Sequence, residues 1–75
     1  MKNEKKITGI LTIVKWDKLS YYGNPRAVVS INDKQYKTQI DAMLGYAISN
    51  YDNQVVRATV GTHYKTPSIS DVELI

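Results

Sequence analysis

The chain has 75 residues, 43% hydrophobic and 23% charged, with no cysteine and a formal net charge of +3. That length allows one domain with a thin core, which neither a disulfide framework nor a thiolate metal site can supplement, and the composition excludes a disordered chain. Residues 1–68 carry ten bases against five acids, because the last seven hold Asp71 and Glu73 and no base, a balance that favours a phosphate-bearing partner over an acidic one.

Residues 1–5, with Lys2, Glu4 and Lys5, have no apolar period and read as a flexible basic arm ahead of a single domain over 6–75. With Lys6, the arm's lysines form a cluster able to follow a polyanion backbone. From Lys6 to Trp16 the run is rich in Ile, Val and Thr and apolar on both faces, as in a long central strand. Gly9 inside it predicts a bulge or a bend. The apolar stretch from Ile10 to Val14, broken by Thr12, is too short for a signal-peptide core or a membrane span, so a soluble cytoplasmic protein is expected.

Ser20, Tyr21, Tyr22, Gly23, Asn24 and Pro25 concentrate turn formers in a sizeable loop. Arg26 to Ile31 and Lys34 to Gln39 then predict a tight hairpin turning at Asn32-Asp33 or Asp33-Lys34. Either turn places Ala27, Val29, Ile31, Tyr36 and Thr38 on the core face. Arg26, Val28, Ser30, Gln35, Lys37 and Gln39 then form an opposite, polar and basic face with one exposed valine.

Ile40, Leu44, Ala47, Ile48 and Tyr51 draw one apolar stripe on a helix of roughly three turns. Thr38 or Asp41 caps its start, Asn50 suits its exit, and Gly45 marks close packing against the sheet. Val55 to Tyr64 alternates as a fourth strand with Val56, Ala58 and Val60 inward. Thr66, Pro67 and Ser68 form a turn, and Ile69 to Ile75 supplies a fifth strand with Asp71 and Glu73 opposite Val72 and Leu74.

Three strands, one helix and two strands is the order of the five-stranded Greek-key barrel of oligonucleotide-binding (OB) domains, mainly β with one helix. A β-grasp-like α+β domain, which inserts its helix between two hairpins, is the alternative. The element order resembles that of small OB-fold single-stranded nucleic-acid-binding proteins, and the run Gly23-Asn24-Pro25-Arg26, with Asp41-Ala42 and Tyr46-Ala47-Ile48 within 38–50, resembles small proteins of phages and mobile genetic elements and supports a shared fold more than a shared task. The resemblance implies a binding face on the second and third strands, flanked by the loops between strands one and two and between strands four and five.

Single-stranded nucleic acid requires cations along a groove and flat side chains on which bases stack. Lys18, Tyr21, Tyr22, Asn24 and Arg26 lie in or beside the first loop. Gln35, Lys37 and Gln39 share the outer hairpin face, His63, Tyr64 and Lys65 flank the last connection, and Trp16 ends the first strand. Tyr21 and Tyr22 cannot both enter a core from one extended segment. Tyr36 reads as core, Tyr46 lies off the helical stripe, and Arg57 is expected at the surface.

His63 is the only histidine and no cysteine can join it, while Asp41 and Asp52 read as cap and turn residues, so no catalytic set, metal site or cofactor is expected. The expected function is sequence-tolerant binding of single-stranded nucleic acid, DNA favoured over RNA, as an accessory to a DNA polymerase or another replication protein. The alternative is a protein-interaction module that acts as a small subunit or inhibitor of a larger enzyme. The sequence leaves homo-oligomerisation open.

Overall fold

Alternation decides which side of a strand meets the core, and β2 (Arg26–Ile31) and β3 (Lys34–Thr38) follow it closely in a computed structural model that describes residues 2–17, 25–38 and 44–75. Ala27, Val29, Ile31, Tyr36 and Thr38 are all buried. Val29 faces Tyr36 and Ile31 faces Lys34, with the chain turning at Asn32-Asp33, both at positive φ (54° and 64°). Two left-handed residues match the twist of the flanking strands, and Asn and Asp tolerate that region better than most side chains.

β1 (Lys2–Asp17) is the longest strand because it serves two neighbours in succession. Its first part pairs with β4 (Gln54–His63) as far as Leu11, and from Thr12 onward it pairs with β2. At the handover, backbone groups of Leu11 and Ile13 turn to the two residues that precede β4. The Leu11 carbonyl accepts a hydrogen bond from the Asn53 N–H (2.7 Å), and the Ile13 N–H donates to Asp52 Oδ1 (2.9 Å). Unpaired backbone groups here would cost about 1 to 3 kcal/mol each.

β5 (Thr66–Leu74) pairs antiparallel with β4 and, over Lys37–Ser68 and Thr38–Ile69, parallel with β3. The ring thus closes in the order β1-β2-β3-β5-β4, the strand order of an OB-type Greek-key barrel and not that of an open β-grasp sheet. Closure also leaves few free strand edges for uncontrolled pairing. Leu11, Val29, Ile31, Val56, Val60 and Ile69 fill the interior.

α1 (Leu44–Ala47) continues as a 3₁₀ turn over Ile48–Tyr51, and that turn lies against β1, β4 and β5. Ile48 is completely buried, and Leu44 and Tyr51 pack on the core from the same stripe. Ile40 and Asp41 lie outside the described residues. Gly45 is required because a Cβ there would collide with the Pro25 carbonyl oxygen at the entry to β2, a backbone atom that cannot yield.

Several expectations need correction. The lead-in is strand from Lys2, not a free arm, with Lys2 opposite Thr62 and Lys5 opposite Val60. The register shifts in β1 lie between Ile13 and Lys15 and between Lys2 and Lys5, not at Gly9. Gly9 instead leaves room for Asn32, whose Nδ2 donates to the Thr8 carbonyl at 3.1 Å and ties the hairpin turn to β1. Thr38 Oγ1 accepts the Ala27 N–H at 3.1 Å inside the β2–β3 ladder, and the helix start that Thr38 or Asp41 is expected to cap lies outside the described residues. The left-handed residue at the helix exit is Asn53 (φ 62°), not Asn50. The last turn is Tyr64-Lys65, with β5 already running at Thr66, so Thr66, Pro67 and Ser68 are strand. Val28 is buried although it faces outward, because Lys15 and Lys37 flank it in register and their aliphatic stems shield it.

Candidate nucleic-acid interface

The bulge at Val14 decides where the basic side chains of β1 go. Unbroken alternation from Leu11 and Ile13 would send Lys15 inward and Trp16 outward. The extra residue reverses both, because a bulge shifts the pleat by one residue. Lys15 emerges beside Val28 on the outer face, and Trp16 is registered with buried Ala27 while remaining 50% exposed.

On that outer face Lys15, Val28 and Lys37 stand in one row across β1, β2 and β3, with Gln35 in the next row opposite Ser30. Lys15, Gln35 and Lys37 line an open depression whose floor is Val28 and whose far wall is Thr66 and Pro67 of β5. The Lys37 ammonium pairs with Asp17 at 2.6 Å, which holds it upright at the rim and partly neutralises it. Arg26 is directed elsewhere: its Nε donates to the Thr38 carbonyl at 3.0 Å, stitching the two ends of the hairpin together.

Tyr36 and Pro67 are shared with a second depression at the mouth of the barrel, whose cations are Lys5 and Lys34. The Lys34 ammonium sits 5.7 Å from the Tyr36 ring centroid, within cation–π range. Thr62 is shared in turn with a third depression, lined by Lys2, His63, Tyr64 and Lys65. His63 and Tyr64 pack ring to ring, 4.4 Å between centroids and tilted by 59°, and Tyr64 is 84% exposed.

The three depressions are therefore neighbours, each sharing at least one lining residue with the next. Lys2, Lys5, Lys15, Lys34, Lys37 and Lys65 line them, and among the described residues no acidic side chain does, although Asp17 reaches Lys37 at the edge of the first. The band begins on the middle hairpin, crosses the barrel mouth and ends on an aromatic pair at the β4–β5 turn.

Of the residues singled out by sequence, Gln35, Lys37, His63, Tyr64 and Lys65 line this band. Arg26 and Trp16 do not line it. Lys18, Tyr21, Tyr22, Asn24 and Gln39 lie outside the described residues. Sequence reading omitted Lys15 and Lys34 from the site and assigned Lys2 and Lys5 to an arm. Lys34 was within reach of the hairpin register, which sets it opposite Ile31 at the end of the sheet, where an inward-facing position opens to solvent. Lys15 was not, because no local signal marks Val14 as the bulged residue.

Among the described residues, no three His, Cys, Asp or Glu side chains gather where a metal ion could be held, and no helix is long and apolar enough to cross a membrane. No protein-family model, curated protein or solved structure matches the chain.

Proposed function

We propose that this protein binds single-stranded nucleic acid, DNA before RNA, along the lysine band, with little dependence on base sequence and without catalysing a reaction on it. The observation that carries the reading is the clustering of charge: six lysines line three adjoining depressions, and the carboxylate at their edge, Asp17, pairs with one of them, Lys37. Lysine is a flexible point charge that neutralises phosphate without demanding a particular base. Tyr64 with His63 supplies a stacking surface at one end, and every base offers a π-face to such a surface. A footprint of about 4 to 6 nucleotides, the low end for one such barrel, suits a molecule whose longest dimension is 31 Å.

Titration of labelled single-stranded and double-stranded oligonucleotides at several salt concentrations tests the reading. If five lysines meet phosphates, the log–log salt slope for a single strand is about −3.5. An absence of any mobility or fluorescence change at low salt sinks the proposal. Partner capture after nuclease digestion separates it from the alternative of a docking module: retention of one larger enzyme would favour that alternative, and loss of all partners favours the nucleic-acid reading. Within the proposal, the role is that of a strand-holding accessory to a replication protein.

A further inference from the structure

The outward face of β4 and β5 carries a pattern that nucleic-acid binding does not use. Ile10 pairs with Val55 in register, and the Ile75 N–H donates to the Val55 carbonyl at 3.5 Å, so the three form one row across β1, β4 and the residue after β5. All three are half exposed or more, at 57%, 50% and 68%. In the next row Arg57 and Glu73 are paired in register with their charged atoms 3.6 Å apart, both half exposed, and beyond them Thr59 faces Asp71. None of these residues lines the lysine band.

We infer that this face binds a second copy of the chain, about a two-fold axis running between β4 and β5 and parallel to them. A two-fold contact requires a surface complementary to itself. The axis parallel to the strands sets Val55 against Ile75 and Arg57 against Glu73 of the second copy, and each reverse pairing follows by symmetry. An axis across the strands through that row would instead oppose Arg57 to Arg57 and Glu73 to Glu73. An unlike partner of uniform charge would leave one member of the Arg57–Glu73 pair opposed by its own sign, whereas a copy satisfies both. In the monomer that exposed pair contributes little, so exchanging it for two pairs between copies costs little. The apolar row beside it supplies the area removed from water, and the charges form the rim that sets register.

Sedimentation equilibrium on the nuclease-treated protein, from micromolar to millimolar concentration, tests the inference without reference to any nucleic acid. A monomer–dimer equilibrium is expected, shifted to monomer by Val55→Asp. Val55→Thr, which keeps strand propensity, replaces that variant if its circular dichroism is no longer native. Arg57→Glu and Glu73→Arg should each weaken the dimer about tenfold, since symmetry counts every change twice, and combining them should restore the affinity to within about threefold. A wild-type protein that stays monomeric throughout, a dimer indifferent to the position-55 change, or a double reversal no better than its parts would each overturn the inference.

Discussion

The two β-hairpins are built on one plan and finished differently. Each closes with two residues in the left-handed region: Asn32 and Asp33 at φ 54° and 64°, Tyr64 and Lys65 at 49° and 65°. Asn and Asp accept that conformation through short polar side chains, whereas Tyr and Lys place a Cβ against the following carbonyl at about 1 to 2 kcal/mol per residue. The first turn carries one side chain back to the sheet, with Asn32 bonded to Thr8. The second presents a ring and an ammonium to solvent at the end of the lysine band. Left-handed backbone thus falls on Tyr and Lys where the turn faces solvent, and on Asn and Asp where a turn side chain ties back to the sheet.

The largest expected effect comes from removing the cations that join the hairpins into one surface. The pair Lys15→Glu with Lys34→Glu should weaken binding of a single-stranded oligonucleotide about 100-fold at low salt. Lys6→Glu, on the far side of β1 beside Thr59, should change it by less than about threefold, with fluorescence anisotropy as the measurement. Equal losses from both substitutions would mean that net charge, not the band, governs binding.

Next in size, Thr38→Val strands the Ala27 N–H inside the first hairpin and should cost about 2 kcal/mol in urea unfolding. An unchanged midpoint would show that this hairpin is not held by that bond. Tyr64→Ala should lower oligonucleotide affinity by about 1 to 2 kcal/mol while leaving the unfolding midpoint nearly unmoved, since the side chain is exposed.

The turns themselves provide the smallest and most direct comparison. Replacing Tyr64-Lys65 by Asn-Gly should stabilise the protein by about 1 to 2 kcal/mol and weaken binding, whereas Asp33→Gly should add only about 0.5 kcal/mol and leave binding alone. Thermal unfolding of the two variants side by side checks this. A first turn that gains as much as the second would remove the contrast between them.

Strand identity, the register of β2 and β3 and the inward set Val56, Ala58 and Val60 were legible in the sequence, because a period of two and a turn rich in Asn and Asp are local signals. The helical stripe was legible too, with Ile48 at its centre and Gly45 pressed against backbone. The Tyr64-Lys65 turn was not. Its residues have no turn preference, and the Pro67-Ser68 that follows imitates a turn while lying in a strand.

What the residues determined by themselves is an alternating set of strands, one helical stripe and an excess of positive charge. What only tertiary structure decided is where that charge collects. Lys15 reaches the outer face because β1 bulges at the point where it exchanges β4 for β2, and Lys2 and Lys5 join it because the ring closes β1 onto β4. Both events depend on pairings between residues far apart in the chain. A local pattern specifies which side of a strand is apolar, but not the neighbour against which that side will be laid.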